Sequence, residues 1–253
     1  MIENIEKTEN NTIVYKGEAL NVPHHIAVIP DGNRRWAKER GLPAVSGHKE
    51  GVEAYKLLLE NAADLGVSYV TFYAFSTENW KRSKTEVEGL MSLLALQLKN
   101  FDNILGKNKN KICFKVIGNR SALSSSLQKA IQKMEEKTKD NKDLTAIIAI
   151  NYGGRDEIVN AVKHIVNDFD EGKIDENLID ENMFNKYLYT SNIPDPDLLI
   201  RTSGEERISN FLLWQLAYTE FYFDNCFWPD FKSDNLIEAV RVFSKRQRRY
   251  GGA

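Results

Sequence analysis

The chain has 253 residues, 42% of them hydrophobic, and its 34 basic and 36 acidic side chains give a formal net charge of -2. This length and composition allow one large domain with a sizeable core. The balanced charge excludes an overall field that would draw the protein to nucleic acid or to an anionic membrane, so any anion site must be local.

The N-terminal segment, residues 1–22, is polar and predicts an arm that is loose or briefly helical, ahead of a single domain over residues 23–253. It lacks the pattern of a signal peptide, and no run approaches the roughly 20 apolar residues of a membrane span. Cys113 and Cys226 belong to no metal or redox motif, which indicates reduced core thiols. We therefore expect a cytoplasmic protein that can still contact a membrane surface.

Beyond the arm, short β-rich runs alternate with longer segments of helical period. Strands are predicted at residues 25–30, 67–76, 111–118, 144–154 and 197–202. Helices are predicted at 48–65, 85–105, 121–138, 154–169 and 234–246, with a helical or irregular stretch at 180–190. Because the strands are apolar on both faces and helices connect them, the pattern predicts an α/β domain with an open, mostly parallel sheet flanked by helices. Ligands of such sheets bind beyond the carboxyl ends of the strands.

A polar cluster follows the first predicted strand, and it consists of Asp31, Gly32, Asn33, Arg34, Arg35 and Trp36. Gly32 and Asn33 tolerate backbone angles that point N–H groups at one anion, and the next helix adds its positive end. A carboxylate beside bound phosphate needs a cation between them, so Asp31 is a candidate Mg²⁺ ligand. An Asx turn with a helix cap remains the structural alternative.

The second strand leads into a polar connector from Thr77 to Arg82, and Ser83 with Glu86 forms a capping box for the following helix. The connector is a candidate flap that carries Asn79, Trp80 and Arg82 over a ligand. The alternative is a tryptophan packed into a turn.

Arg201 ends the fifth strand, and Arg207 and Ser209 come from the loop just after Gly204. Arg201, Arg207 and Ser209 offer forked donors and a hydroxyl that suit phosphate oxygens, with surface ion pairs to Glu205 and Glu206 as the alternative. His48 lies near the first cluster, where it either orients a phosphate or caps a helix. Together the two clusters suit two diphosphates in one cleft.

These blocks, in this order, resemble the cis-prenyltransferases, and among them the undecaprenyl diphosphate synthases, over residues of about 24 to 251. The matching segments are HIAVIPDGNRRWAKERG, GHKEG, YAFSTENWKRSKTEVEGLM, INYGGRDEI, LLIRTSGEERISNFLLWQLAYTEFYF and WPDF. The resemblance implies condensation of isopentenyl diphosphate with an allylic diphosphate primer, typically farnesyl diphosphate, to a long-chain product such as undecaprenyl diphosphate. It also implies Mg²⁺ dependence, a homodimer and no nucleic-acid partner.

The resemblance assigns roles by position. The primer diphosphate contacts Gly32, Asn33, Arg34, Arg35, Trp36 and His48, while isopentenyl diphosphate contacts Arg201, Arg207 and Ser209. A mobile substrate-binding loop of the family matches Ser76, Asn79, Trp80, Arg82 and Glu86. The resemblance makes Asn79 of this loop and Asp31 the catalytic residues. Asp31 and Glu220 are the metal positions, and residues 207–220 are expected near the partner subunit.

The chain departs from the family pattern where an arginine usually stands four residues before the histidine, because Ala44 occupies that place. Arg40 is a candidate substitute. Pro30, Ser83 and Glu206 are further departures, and all of them bear on primer identity and product length rather than on the type of chemistry.

A long apolar product also requires a tunnel, expected between the sheet and the helices at 48–65 and 85–105, where small Ala74 leaves room. Three alternatives are weighed against this function: a phosphohydrolase or nucleotide enzyme that uses Asp31, a non-catalytic subunit of the same fold, and a short-chain or irregular terpene synthase. Against the first alternative, Asp31 belongs to no DxD pair, and the sequence contains neither a Walker lysine motif nor a GxGxxG turn. We expect Asp31→Ala to remove turnover while leaving the fold intact.

Overall fold

The computed structural model describes residues 2, 5–8, 11–100, 108 and 110–246. Within them, the α-helices are α1 Asn33–Glu39, α2 Ala44–Leu65, α3 Lys84–Lys99, α4 Ser125–Thr138, α5 Gly154–Asp170, α6 Glu181–Tyr187 and α7 Ser233–Ser244. Short 3₁₀ helices occupy Thr77–Lys81, Arg120–Ala122, Glu176–Leu178 and Trp228–Asp230. None of the helices in the described residues is both long and apolar enough to cross a membrane.

The N-terminal segment forms a small antiparallel sheet, which corrects the prediction of a loose or helical arm. Its strands are β1 Ile5–Lys7, β2 Thr12–Tyr15 and β3 Glu18–Asn21. Lys16 and Gly17 join β2 to β3 with φ values of 50° and 81°, as a tight hairpin turn requires. Ile13 and Leu20 are buried against the main core, so apolar burial holds this segment in place. A domain boundary after residue 22 stays a prediction.

The central sheet confirms the predicted architecture. In chain order its strands are β4 His25–Ile29, β5 Tyr69–Ser76, β6 Ile112–Ile117, β7 Leu144–Tyr152, β8 Leu198–Arg201 and β9 Glu220–Phe223. All neighbours are parallel, in the spatial order β6-β7-β5-β4-β8-β9. Strand β9 was not predicted, because its four half-buried residues form only the sheet edge.

Both faces of the sheet are covered, which explains why its strands lack alternation. In β4, Ile26 and Val28 pack into one buried cluster, while Ala27 and Ile29 pack into the other. A parallel strand buried on two sides is apolar at every position. Since β4 lies between β5 and β8, the segments that follow these three strands meet at one edge of the sheet.

The predicted helices exist, with shifted ends. Helix α2 begins at Ala44, directly after Pro43, and not at residue 48. The predicted helix 121–138 divides into a 3₁₀ turn and α4, whose cap is the Ser124 hydroxyl. Helix α3 ends at Lys99, and positions 101–105 of the prediction lie outside the described residues. Cys113 is buried as expected, whereas Cys226 is only partly buried.

Candidate active site

Asp31 lies just beyond β4, where the fold fixes both its backbone and its carboxylate. Its Oδ2 accepts a hydrogen bond from Arg201 Nη2 at 2.9 Å, and its Oδ1 lies 3.2 Å from Arg35 Nη2. The Thr202 hydroxyl accepts from the Asp31 amide at 2.9 Å and donates to the Asp31 carbonyl at 2.7 Å. The carboxylate is therefore held at the sheet edge by groups that come from β8 and α1.

The charge on Asp31 is favoured despite its partial burial. Burial by itself raises the pKa of the carboxyl, but the hydrogen bond and charge of Arg201, with the charge of Arg35, outweigh it and lower the pKa below its ordinary value. Asp31 is thus an anion at neutral pH, with two guanidinium groups beside it.

Arg201 is the most enclosed cation of the site, with a side chain only 3% exposed. Its Nη1 donates to the Ser209 hydroxyl at 2.7 Å and to the Arg207 carbonyl, while its Nε is buried without a partner among the described residues. A buried donor without an acceptor is costly, so Arg201 is suited to bind an anion that enters here.

The loop after Asp31 turns sharply into α1. Gly32 has φ 100°, and a Cβ at this position would lie 2.2 Å from the Ser203 hydroxyl oxygen. Helix α2 also approaches closely, because a Cβ on Gly47 would lie 1.9 Å from the Asn33 carbonyl oxygen. Both glycines are therefore required for the close packing that holds the amides at the start of α1.

His48 lies on α2 beside this loop, one turn inside the helix and not at its cap. Burial lowers its pKa to about 4, with Arg82 and Arg34 adding in the same direction while Glu86 opposes them. The imidazole is thus neutral at pH 7. Its Nε2 is buried and has no hydrogen-bond partner in the part of the chain that the structure describes, which leaves it available to a ligand.

The connector from Thr77 to Lys81 is a 3₁₀ helix that hydrogen bonds hold near both of its ends. Ser76 and Asn79 form a capping box across its start. The Trp80 indole donates to Asn151 Oδ1 at 2.7 Å, and the Asn210 amide donates to Glu78 Oε1 at 2.8 Å. Hinge motion of this connector stays a prediction, since the structure describes one conformation.

Glu86 binds two of the predicted substrate residues. It lies 3.6 Å from Arg34 Nη1 and accepts from Arg82 Nη1 at 3.0 Å. These ion pairs link the loop after β4 to the connector after β5. Each guanidinium must exchange or share its carboxylate partner before it can bind phosphate.

A cavity of about 620 Å³ begins at these polar groups and extends between the sheet, α2 and α3. Its polar lining consists of Asp31, Asn33, His48, Ser76, Glu78, Asn79, Arg82, Arg201, Ser209 and Asn210. Its apolar lining includes Val52, Tyr55, Phe72, Ala74, Leu90, Leu93, Leu94, Ile148 and Trp228. A charged end group and a hydrocarbon tail would each meet a matching wall. A through-going tunnel stays a prediction.

A second cavity, of about 740 Å³, lies on the outer side of the same loop. It is lined by Pro30, Asp31, Gly32, Asn33, Arg34, Arg35, Lys38, Gly41, Leu42, Ala44, His48 and Arg82. The two cavities share Pro30, Asp31, Asn33, His48 and Arg82, so they are two sides of one site.

Some predicted site residues face elsewhere. Trp36 donates to Asp230 Oδ1 at 2.8 Å and does not line either cavity. Arg40 stacks on Trp36 at 4.3 Å and pairs with Asp230, so it does not replace the arginine missing at Ala44. Arg207 pairs with Glu205 and has a 60% exposed side chain, as the surface ion-pair alternative expected.

Glu220 begins β9 opposite Leu198, three residues before the level of Arg201, and it pairs with Arg246 at 2.6 Å. Within this chain Glu220 therefore lies away from the edge that holds Asp31, and its metal role stays a prediction.

Some residues that contribute to the site were not predicted from the sequence. Asn210 lines the main cavity and also accepts from the Arg155 amide at 3.0 Å, so it connects the loop after β8 to helix α5. Thr202 clamps Asp31, and Lys38 lines the second cavity. The one available signal was helical spacing, because Lys38 follows Arg34 by four residues on α1.

Comparison with known proteins identifies the family of the chain. A family model described as "Putative undecaprenyl diphosphate synthase" matches residues 29–251. An isoprenyl transferase of Bacillus cereus is 49% identical over 232 residues, covering 91% of this chain and 89% of the relative. The Micrococcus luteus enzyme named ditrans,polycis-undecaprenyl-diphosphate synthase ((2E,6E)-farnesyl-diphosphate specific) is 46% identical over 245 residues, or 96% of each chain.

Solved structures share the fold. Lavandulyl diphosphate synthase from Lavandula x intermedia, in complex with dimethylallyl diphosphate, has a TM-score of 0.87 and 40% identity, covering 91% of this chain and 98% of that chain. A "probable undecaprenyl diphosphate synthase" from Campylobacter jejuni has a TM-score of 0.75 and 32% identity, covering 92% of this chain and 100% of that chain. The resemblance found in the sequence is confirmed, and the protein belongs to the prenyltransferase family of undecaprenyl diphosphate synthases.

Proposed function

We propose that the protein condenses isopentenyl diphosphate with an allylic diphosphate primer of the farnesyl diphosphate class and extends it to a long-chain polyprenyl diphosphate. The observation that carries this proposal is the cavity that runs from Asp31, Arg201 and Asn79 to apolar walls on α2, α3 and β5. Amphipathic substrates with a diphosphate head and a hydrocarbon tail match that division.

In this proposal the primer diphosphate binds the amides and arginines between Gly32 and Arg35. Ionisation breaks the bond between its allylic carbon and the diphosphate oxygen, and the double bond of isopentenyl diphosphate then attacks the cation. Fixed N–H groups and guanidinium groups near the leaving oxygen stabilise its growing negative charge. His48 contributes a neutral hydrogen bond, because its pKa of about 4 keeps it uncharged at pH 7.

Isopentenyl diphosphate would bind on the β8 side of the cavity. Arg201 offers a buried guanidinium with a free Nε, and Ser209 adds a hydroxyl 2.7 Å from it. The proton lost after condensation needs a weak base, for which Asn79, a water molecule or the released diphosphate are the alternatives. Arg207 would have to leave Glu205 to take part.

Mg²⁺ dependence is part of the proposal, and the residues present fit that ion only when a substrate is bound. No group of three or more His, Cys, Asp or Glu side chains suited to a metal occurs in the described part of the chain. Mg²⁺ commonly takes one or two carboxylates and completes its shell with phosphate oxygens and water. Asp31 would be the protein ligand, and the bound ion would neutralise charge on the leaving diphosphate.

A homodimer is proposed from an apolar stripe on α5. The side chains of Val159, Val162, Val166 and Phe169 are each between 45% and 53% exposed. Their spacing of three and four residues puts them on one face, where a surface helix is normally polar. A two-fold partner that presents the same stripe would cover it.

The dimer is tested with Val162→Glu, which introduces a charge into the stripe. We expect sedimentation velocity to show monomers for this variant. The matched variant Asn167→Glu, on an exposed face away from the stripe, should stay dimeric. Dimers in both variants would contradict the assignment of this face.

A cytoplasmic location with transient membrane contact is also proposed. Burial of each five-carbon unit contributes about 4 kcal/mol to the binding of the product, at ~0.8 kcal/mol per methylene-sized group. A long product therefore leaves the cavity slowly. A lipid surface or detergent would accept it. Turnover that is insensitive to detergent contradicts this step.

Incubation with labelled isopentenyl diphosphate and a panel of allylic primers, followed by product sizing, tests the proposed function. Long linear products support it, and absence of incorporation refutes it. The likeness to lavandulyl diphosphate synthase favours one second candidate, a short-chain or irregular coupling. That candidate predicts short, branched products from dimethylallyl diphosphate.

A further inference from the structure

The outer cavity next to α1 contains four cationic side chains, and three of them are already paired. Arg34 and Arg82 share Glu86, at 3.6 and 3.0 Å. Arg35 lies between two carboxylates, 3.2 Å from Asp31 and 2.9 Å from Glu205. An anion that binds these guanidinium groups must compete with carboxylates for them.

Lys38 is the fourth cation, and its ammonium group has no ion-pair partner among the described residues. It lies in the last turn of α1, and its side chain is exposed on the wall of this cavity. Ala44, at the start of α2, lines the same cavity and offers no polar side-chain atom. The nearby cation Arg40 is held by Asp230 and Trp36 and does not line the cavity.

We propose that Lys38 is a specificity-determining residue that binds the outer phosphate of the allylic diphosphate. This inference rests on the proposed function, since it extends the primer site from the amides at Gly32 and Asn33 to the far wall of the outer cavity. Lys38 has no carboxylate partner among the described residues to give up when the anion binds, whereas the three arginines must each release or share one. The outer phosphate carries more charge than the phosphate bonded to carbon, so it gains most from a free ammonium group.

A structural role for Lys38 has to be separated from this one. A cation in the last turn of a helix also stabilises the helix dipole. That role changes the free energy of unfolding and does not depend on which ligand is bound. Binding of the outer phosphate instead changes the preference between primers with one and two phosphates.

The test uses the full chain with Lys38→Gln and the matched control Lys49→Gln. Lys49 is exposed on α2, lacks an ion pair in the described residues and does not line either cavity. For Lys38→Gln we expect the KM of the diphosphate primer to rise about five-fold, which corresponds to about 1 kcal/mol. The KM of the monophosphate primer and of isopentenyl diphosphate should stay within two-fold. Lys38→Arg should restore the primer KM, as should Ala44→Lys in the Lys38→Gln background.

A second measurement does not need turnover. Isothermal titration with inorganic pyrophosphate should give about five-fold weaker binding for Lys38→Gln than for wild type and for Lys49→Gln. Equal pyrophosphate affinity of the three proteins overturns the inference, as does an equal rise in KM for both primers. Wild-type protein that binds pyrophosphate through Lys38 and incorporates no isopentenyl diphosphate refutes the proposed function and leaves Lys38 as an anion-binding residue.

Discussion

Removal of the Asp31 carboxylate tests the centre of the site. In the folded chain this carboxylate faces Arg201 and Arg35. Asp31→Ala takes away the partner of an arginine whose side chain is 3% exposed. The expectation from the sequence, that this variant leaves the fold intact, considered Asp31 as a loop residue and therefore overlooked the ion pair.

The size of the effect follows from the exposure of the two partners. A unit charge pair about 4 Å apart contributes ~4 kcal/mol at an effective dielectric constant of 20. Removing one partner of a fully buried pair costs about 3–5 kcal/mol. The Asp31 side chain is 29% exposed, so water screens part of this interaction. We expect Asp31→Ala to lower the free energy of unfolding by about 2 kcal/mol, and Asp31→Asn by about half as much.

Two assays check this prediction. Urea unfolding of Asp31→Ala, Arg201→Met and the double variant gives the coupling energy of the pair, which we expect to be about 1–2 kcal/mol. Incorporation of labelled isopentenyl diphosphate should fall at least about 100-fold in Asp31→Ala and in Asp31→Asn. A coupling energy near zero would falsify the ion-pair argument, and near-normal turnover would refute the catalytic role of Asp31.

The pH dependence of the same pair has a defined sign. The folded-state pKa of Asp31 is lower than its ordinary value of 3.8. The stabilisation by the pair is therefore complete above the unfolded-state pKa and is lost as the pH falls through the folded-state pKa. The difference in unfolding free energy between wild type and Asp31→Asn should shrink in acid, and a constant difference down to pH 2 would contradict the shift.

Three further predictions use other features of the fold. Gly47→Ala should lower the free energy of unfolding by about 2 kcal/mol or more, since the new Cβ meets a backbone oxygen, whereas Gly89→Ala in α3 has open space and should raise it by about 0.5–1 kcal/mol in urea melts. Burial lowers the pKa of His25 to about 4, so this residue alone should lower stability by up to about 3 kcal/mol as the pH drops from 6.5 to 4. His25→Gln should remove that part of the profile and leave the part due to His48, whose pKa is also about 4. Trp80→Phe removes the hydrogen bond to Asn151 and should raise the KM of isopentenyl diphosphate several-fold in steady-state assays.

Each of these predictions has an outcome that contradicts it. Equal free energies of unfolding for Gly47→Ala and Gly89→Ala would mean that α1 and α2 can move apart without loss of stability. An unchanged pH profile in His25→Gln would assign the acid sensitivity to other groups. An unaltered KM in Trp80→Phe would show that the bond to Asn151 does not position the connector.

The sheet could be predicted from the sequence because its evidence is local. The run from Ile26 to Ile29 is apolar at every position, and β7 has a similar run from Ala146 to Ile150, which is what burial on two faces requires. The hairpin at Lys16 and Gly17 was missed, since its strands have four residues each and their sequences, TIVY and EALN, do not alternate between polar and apolar residues. Strand β9 was missed for the same reason.

The clustering of the site was partly predictable. Ser76 and Arg201 end parallel strands and Asp31 lies just beyond one, so a shared edge was expected before the strand order was known. The direction of individual side chains was not. Arg40 and Trp36 turn to Asp230, which is 190 or more residues away along the chain, while Lys38 turns to the cavity.

The amino-acid sequence by itself determined the α/β class, the polar segments after the strands and the family, because periodicity, turn residues and motif spacing are properties of neighbouring positions. Only the tertiary structure decided which charges pair. Asp31 and Arg201 are 170 residues apart, and they meet because β4 and β8 are adjacent in the sheet. Strand order depends on the packing of all the helices at once, so no short segment shows that Lys38 has no carboxylate partner within the described part of the chain.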